Sequence, residues 1–333
     1  MHHKFTPAGC KRRTFVAALA CAGLVPGLAV AQDHFPGKPI RIVAAGAPGG
    51  GMDLLARLIG DRLQQSLGQP VIIDNRPGGN GVIAAKAGLG APADGHTLLM
   101  TAASFTVMAQ AMPKKPPFDV TRDLAPVAQI GSGGVFLVVS TDFPARNMQE
   151  LVDLIKSQPD KHSYASFGIG SSGHLVMAAL QNQTGMKINH VPYKSMQQIY
   201  TDLMGGNIRI GFVDVTSSLP LIRTGKFRAL AVSGSARMPA SPEIPTMTEQ
   251  GFRFDTDGWF AMFAPKGTPA AVAGTLNREI ANALAAPELQ ARLLQFNMAN
   301  PPRKTPEEFG QTVREDLKVW TRIVKDNHIT PED

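Results

Sequence analysis

Short apolar runs rich in β-branched residues alternate with amphipathic segments through most of this 333-residue sequence. The first pair is typical: Ile40–Ala44 favours a strand, and residues 53–67 place their leucines on one helical stripe, which Gly68 then ends. Such alternation predicts an α/β fold with largely parallel sheets covered on both faces by helices. Further strands are predicted at residues 71–73, 96–101, 136–140, 162–166, 188–191, 208–213, 227–233 and 258–264. Further helices are predicted at residues 82–89, 147–157, 174–184, 195–204, 217–225, 270–284, 287–296 and 306–326.

The N-terminus has the pattern of an export signal. Four basic residues precede an apolar run and an A-x-A cleavage pattern at residues 29–31. A membrane anchor would need about 20 apolar residues, and this run is shorter and is interrupted by two glycines and a proline. We therefore predict a signal peptide over residues 1–31 and a periplasmic protein. The adjacent Arg12 and Arg13 leave both the Sec and the twin-arginine routes open.

Composition excludes several classes of function. Both cysteines, Cys10 and Cys21, lie in the predicted signal, so the mature chain has no disulfide and no thiol nucleophile. Of 33 Lys and Arg residues, four lie in the signal, which leaves a formal charge of about +3 against 26 acidic residues. The Lys and Arg residues are scattered and form no basic block, so nucleic-acid binding is not expected. The eight histidines have no metal-ligand spacing, so neither a metal nor a cofactor is expected.

The first strand-to-helix loop contains three successive glycines, Gly49, Gly50 and Gly51, between Pro48 and Asp53. Bare backbone can approach a ligand closely, and the N-terminus of the following helix offers unpaired N–H groups and partial positive charge. We therefore predict an anion site here, although a tight turn with Asp53 as N-cap is an alternative. A Walker A loop is excluded because no Gly-Lys-Ser/Thr follows.

A second strand-to-helix loop contains Gly168, Gly170 and Gly173, which match G-x-G-x-x-G. A dinucleotide-binding fold would also need an acidic residue at the end of the next strand. The strand predicted at residues 188–191 and the three residues after it offer none, so a nicotinamide cofactor is not expected.

The same loop carries Ser171, Ser172 and His174, which suit hydrogen bonding to a carboxylate. One of the two serines could instead cap the helix. With Asp214 these residues could also form a hydrolase triad, although neither serine lies in G-x-S-x-G. A secreted hydrolase that uses Ser171 or Ser172 with His174 therefore remains the alternative to a binding function.

Several longer motifs resemble the substrate-binding proteins of tripartite tricarboxylate transporters, the Bug family. They include Phe-Pro-Gly-Lys-Pro-Ile-Arg at residues 35–41, Ala-Pro-Gly-Gly-Gly-Met-Asp at 47–53 and Asp-Asn-Arg-Pro-Gly-Gly-Asn-Gly at 74–81. The resemblance continues at residues 94–99, 164–174, 190–194, 225–232 and 305–309, in the same order, over nearly the whole mature chain.

The resemblance implies a type II-like, two-lobed periplasmic binding protein of the α/β class, with a mainly parallel sheet flanked by helices in each lobe and a ligand cleft between the lobes. Lobe 1 would comprise residues 32–131 and 255–333, and lobe 2 residues 132–254. Such a protein is not an enzyme: it would pass a small carboxylate to the membrane subunits of the transporter, or present it to a sensor kinase ectodomain. A monomer is expected.

In this family the ligand carboxylates are held by facing strand-to-helix loops. Carried over by position, these are residues 48–53 and 102–106 in one lobe, and residues 166–174 with Asp214 in the other. The implied ligand-binding residues are Pro48, Gly49, Gly50, Gly51, Asp53, Ser104, Phe105, Ser166, Phe167, Gly170, Ser171, Ser172, His174 and Asp214.

The sequence also departs from the family pattern. Ala45-Gly46 replaces the usual Pro-Phe, and Phe167 and Ile169 stand where smaller or polar residues are usual. A less polar pocket is therefore expected. If Phe105, Phe167 and Trp259 line the cleft rather than a core, the ligand would be an aromatic or medium-chain mono- or dicarboxylate.

Overall fold

A computed structural model describes residues 35–112, 114–159, 161–254, 257–299 and 303–330, with the side chain of Asn80 left aside. The predicted signal peptide lies outside the described residues. Two five-stranded sheets, each flanked by helices, form the two lobes. The predicted α/β, two-lobed fold is therefore confirmed.

The first sheet has the strand order β2-β1-β3-β10-β4. Strands β1 and β2, and β1 and β3, pair in parallel, whereas β10 is antiparallel to both of its neighbours. Four strands of the sheet therefore run in one direction. The bounds are Ile40–Ala44 (β1), Val71–Asn75 (β2), Thr97–Ala102 (β3), Leu124–Gly133 (β4) and Gly258–Pro265 (β10).

The second sheet repeats this arrangement with the order β7-β6-β8-β5-β9. Strand β6 pairs in parallel with β7 and β8, and β5 is antiparallel to β8 and β9. Each sheet is thus mainly parallel with one reversed strand. The bounds are Val135–Ser140 (β5), Ser163–Ser166 (β6), Asn189–Pro192 (β7), Ile210–Asp214 (β8) and Phe227–Val232 (β9).

The helices cover the sheets through apolar faces. In Met148–Ser157, for example, Met148, Leu151, Val152 and Ile155 are buried and the opposite face is polar. The bounds are Gly51–Leu67 (α1), Val82–Leu89 (α2), Val107–Ala111 (α3), Val120–Asp123 (α4), Met148–Ser157 (α5), Ser172–Thr184 (α6), Met196–Gly205 (α7), Leu219–Arg223 (α8), Ala270–Ala285 (α9), Pro287–Gln295 (α10) and Pro306–Asp326 (α11). None of these described helices is long and apolar enough to cross a membrane.

The chain passes between the sheets at a narrow point. Only Gly134 separates β4 from β5, and a Cβ atom there would lie 1.6 Å from the carbonyl oxygen of Ser233. Ser233 also accepts a hydrogen bond from the Val135 N–H at its Oγ atom (2.9 Å) and donates its own N–H to the Val135 carbonyl (3.0 Å). Gly134, where the chain leaves the first sheet, therefore lies directly beside Ser233, which follows the last strand of the second sheet. Only glycine fits at this contact.

Candidate functional site

Residues that follow four parallel strands line one cavity of about 210 Å³. They are Met52 on the helix after β1, Ser104 and Phe105 after β3, Phe167 and Ser172 after β6, and Val215 and Thr216 after β8. Of these four strands, β1 and β3 belong to the first sheet, and β6 and β8 belong to the second. The cavity therefore lies where the carboxyl ends of the strands from both lobes meet, which is the common place for ligand sites in open α/β sheets.

The wall of the cavity is mostly apolar. Among the described residues that line it, the hydroxyl and carboxylate side chains are Ser104, Ser172, Asp214, Thr216 and Ser233, and none is Lys, Arg or His. A bound anion would therefore depend on hydroxyls, peptide N–H groups and helix N-termini rather than on a buried cation.

The first loop holds its shape through Asp53. Its carboxylate, in a residue only 3% exposed, accepts the Gly49 N–H at 2.8 Å and forms an ion pair with Arg57 at 3.0 Å. Burial alone would raise the pKa of Asp53, but the hydrogen bonds from Arg57, Gly49 and Asn75 outweigh it, and the net shift is downward.

The expectation that Asp53 is the N-cap of this helix is wrong. The N-cap is Gly50, whose extended backbone lets α1 begin at Gly51 and places Asp53 in the first turn. The supporting role remains, because a carboxylate at this position can reach back to an N–H ahead of the helix. Pro48 and Gly49 are exposed, and Gly51 faces Thr216, whose methyl carbon would lie 3.6 Å from a Cβ atom at this glycine.

The second loop brings Ser104 and Phe105 to the cavity on a 3₁₀ turn, Ala103–Phe105. The Phe105 side chain is backed by Gly81, where a Cβ atom would lie 2.6 Å from the Phe105 Cβ atom. Gly81 also has a φ of +81°. Both the close approach and the left-handed backbone therefore require glycine.

The third loop divides its predicted ligand residues into two groups. Phe167 and Ser172 line the cavity, whereas Ser166, Ser171 and His174 are buried beneath the loop. The Ser171 hydroxyl caps α6 by accepting the His174 N–H at 3.4 Å, and it donates to Ser166 Oγ at 3.3 Å. Ser171 is therefore the serine that caps the helix, which the sequence left open as the alternative to a ligand contact.

His174 also holds this loop from below. Its Nδ1 atom accepts the Gly170 N–H at 3.0 Å, and its ring stacks on His190 at 4.3 Å between centroids. The hydroxyl of Ser166 lies 2.7 Å from His190 Nε2. A hydrolase triad needs a histidine whose Nδ1–H donates to a carboxylate. Since His174 Nδ1 accepts instead, this geometry does not favour the hydrolase alternative.

Asp214 lines the cavity, and its carboxylate organises the turn after β8. It accepts hydrogen bonds from Thr216 N (2.9 Å), Ser217 N (2.6 Å), Ser217 Oγ (2.6 Å) and the Tyr200 hydroxyl (2.6 Å). Burial, together with the nearby Asp214 charge, raises the pKa of Tyr200, so the phenol stays protonated as a donor. The turn is therefore fixed before any ligand arrives.

Aromatic residues outside these loops complete the wall. Trp259 and Phe260 come from β10, Phe254 precedes that strand, and Trp320 comes from α11. Trp259 was predicted from the sequence as a possible cleft residue, but Trp320 was not. The position of Trp320 on an amphipathic helix indicates only that it is buried. Among the described residues, no group of three or more His, Cys, Asp or Glu side chains is placed to hold a metal ion.

Comparison with known proteins identifies the same family that the sequence motifs resemble. Residues 55–329 match the model of the tripartite tricarboxylate transporter family receptor, TctC. Protein BugT of Bordetella pertussis is 34% identical over 311 residues, which cover 92% of this chain and 94% of BugT.

Two solved structures share the fold with ligands bound. Rpa4515 of R. palustris with adipate has a TM-score of 0.81 and 29% identity, and the match covers 89% of this chain and 99% of that one. MatC (Rpa3494) of Rhodopseudomonas palustris with bound malate has a TM-score of 0.79 and 29% identity, over 87% and 100% of the two chains. Sequence and fold thus agree that the chain belongs to the tripartite tricarboxylate transporter receptor family, whose Bug-type members are solute-binding proteins.

Proposed function

We propose that this protein is exported to the periplasm, captures a small carboxylate between its lobes and delivers it to the membrane subunits of a tripartite tricarboxylate-type transporter. The observation that carries the proposal is the cavity between the strand-to-helix loops of both sheets. The adipate- and malate-bound relatives support a carboxylate ligand.

The lining residues also support a preference among carboxylates. Phe105, Phe167 and Trp259 all line the cavity, so the alternative that they serve only as core is not favoured. Burial of an apolar ligand body contributes about 25 cal/mol per Å², whereas a highly charged acid would lose its water with few partners to replace it. We therefore propose an aromatic or medium-chain acid in preference to citrate.

We further propose that the lobes follow the division expected from the sequence, with residues 132–254 as lobe 2. The membership of the strands in the two sheets supports this to within two residues, since β5 to β9 all belong to the second sheet and β4 of the first sheet ends at Gly133. Closure would then bend the chain near Gly134 and in the segment between Val232 and Gly258, where the passages lie.

The decisive experiment is mass spectrometry of the ligand released from protein purified under native conditions, followed by calorimetry against a panel of carboxylates. We expect a small organic acid to be released and to bind again in a one-to-one ratio. Release of a sugar, amine or metal complex, with no acid of the panel binding, would contradict the proposal. Uptake of the same acid by cells with and without the gene tests the delivery step.

A further inference from the structure

Asn297 occupies the left-handed position that ends helix α10. Its φ is +54°, and its N–H donates to the carbonyl of Leu294 at 2.9 Å. The next N–H, that of Met298, donates to the carbonyl of Leu293 at 2.9 Å, which completes a Schellman ending. Glycine adopts this backbone without steric cost, and the left-handed residue that follows α1, α6 and α7 is glycine. The side chain of Asn297 is therefore not needed for the turn itself.

That side chain is fully buried, and its polar atoms bond to the part of the chain that forms the second sheet. Its Oδ1 atom accepts the Ala240 N–H at 2.9 Å. Its Nδ2 atom donates to the Val215 carbonyl at 3.2 Å and to Ser241 Oγ at 2.9 Å. Val215 follows β8 and packs in the hydrophobic core of the second sheet, whereas Ala240 and Ser241 follow β9. The amide thus joins two separate segments of that lobe.

The backbone on either side of Asn297 belongs with the first sheet instead. Helix α10, which precedes it, packs on α9, and α9 packs on β4. After it, the Ala299 N–H donates to the carbonyl of Ser132 in β4 at 3.1 Å, and the Ser132 N–H donates to the Ala299 carbonyl at 3.3 Å. The side chain of Asn297 therefore connects the two sheets without a covalent link, in addition to the passages of the chain between them.

This connection lies beside both the chain passage at Gly134 and the cavity. A Cβ atom at Gly131 would lie 3.0 Å from Met298 Cε, and one at Gly133 would lie 3.4 Å from Val215 Cγ2. Met298 and Val215 both line the cavity. Groups close to the axis of a hinge rotation move little, so hydrogen bonds at this place can persist while the lobes open and close.

We propose that Asn297 is a pivot, a fixed point about which the two lobes turn, and thereby a positioning residue for the ligand site. Its amide keeps Val215 and Met298 in the same relative position in the open and the closed protein. Closure then follows one rotation, without a slide or a twist of one lobe on the other. This inference rests on the proposed function, since it concerns lobes that close on a ligand.

Asn297→Gly tests the pivot because it removes the side-chain hydrogen bonds and keeps a backbone that glycine adopts freely. The matched control is His328→Gly, at the other described non-glycine residue with a positive φ (51°), which is exposed. Both native cysteines lie in the predicted signal. Spin labels at Gln65→Cys on α1 and Thr201→Cys on α7, two exposed positions, therefore report the distance between the lobes.

In protein free of bound acid, Asn297→Gly should broaden the distribution of distances between the labels, whereas wild type and His328→Gly should give the same distribution. Calorimetry with adipate and with benzoate provides the second readout. Affinity for whichever acid binds wild type should fall about tenfold in Asn297→Gly, because binding must then also order the lobes. A lower melting temperature with an unchanged distribution and unchanged affinity would overturn the inference.

The wild-type protein gives a third readout, which decides even if Asn297→Gly folds poorly. Hydrogen exchange at the Asn297 side-chain NH₂ group, followed by NMR, should be slow both in the free protein and with acid bound. Fast exchange in the free protein would overturn the inference, because the hydrogen bonds would then form only on closure. If wild-type protein binds no acid of the wider carboxylate panel, the proposed function fails, while the distances in the free protein still decide the role of Asn297.

Discussion

The carboxylate of Asp53 accepts a hydrogen bond from the backbone N–H of Gly49, four residues earlier in the chain. The same carboxylate forms an ion pair with Arg57, four residues later. The glycine-rich loop is therefore tied to the first turn of α1, and its shape is fixed before a ligand binds.

Asp53→Asn should lower the free energy of unfolding by about 1 to 2 kcal/mol, since a charge-assisted hydrogen bond and an ion pair are weakened. The lowered pKa of Asp53 means that its ionised form stabilises the fold above about pH 4, and that this contribution disappears as the pH falls through the lowered pKa. Thermal melting between pH 7 and 3 should thus fall less steeply in Asp53→Asn than in wild type. Asp61→Asn, at an exposed position of the same helix, serves as the control. Ligand affinity should fall together with stability; lost binding with unchanged melting would indicate a direct ligand contact instead.

Gly81→Ala should weaken ligand binding at least tenfold, because its Cβ atom would collide with Phe105 and displace that side chain in the cavity. The matched control is Gly185→Ala, which has a similar left-handed backbone but no atom within 4 Å of the added Cβ. Both variants should lose about 1 to 2 kcal/mol of stability from backbone strain. Calorimetry and melting on the pair separate the two effects, and equal affinities would refute the role given to Phe105.

Tyr200→Phe should destabilise the turn after β8 and reduce ligand affinity several-fold, because Asp214 loses one of its donors. A loss of about 1 kcal/mol in unfolding free energy is expected for one hydrogen bond. Tyr193→Phe removes a similar bond, from Tyr193 to Asp202 at 2.7 Å, but neither of those residues lines the cavity. Binding should therefore respond only to the first variant, and a similar loss in both would show a general effect of stability.

Phe167→Ala should weaken an aromatic acid by about 1 to 3 kcal/mol and leave a short aliphatic diacid unaffected, on the scale of one lost apolar contact surface. Calorimetry with both acids measures the difference. Tight binding of citrate or malate without measurable affinity for aromatic or longer acids would contradict the ligand class proposed above.

The wild-type protein should release every bound carboxylate chemically intact, and an ester and amide panel should give no product above background. His174→Ala should lower affinity, because the Gly170 N–H would lose its acceptor below the loop. Hydrolysis that disappears in Ser171→Ala or Ser172→Ala would show that the protein is an enzyme after all.

Local sequence patterns predict much of this fold. The bounds of β1, α2 and α11 agree with the prediction, and the structure shows that α11 begins with a capping box between Thr305 and Glu308. Strand β4 was missed. It carries Pro126 and two glycines, which weaken the strand pattern, and such residues are tolerated because β4 lies at the edge of its sheet.

The site was predicted less completely, for a physical reason. Position in a strand-to-helix loop predicts that Ser171 and Ser172 lie near the cavity, but not which hydroxyl faces it and which caps the helix below. Trp320 contacts the cavity only through long-range packing of α11. The spacing of its neighbours along that helix predicts burial and carries no sign of the space beyond it.

The contribution of α11 also makes the cavity depend on both ends of the described chain. Met52 and Trp320 line the same cavity although they lie near opposite ends of the described residues. Helix α11 packs against α3 and β4. A truncation before Pro306 would therefore remove part of the cavity wall, so ligand binding reports whether the chain has folded through its last helix.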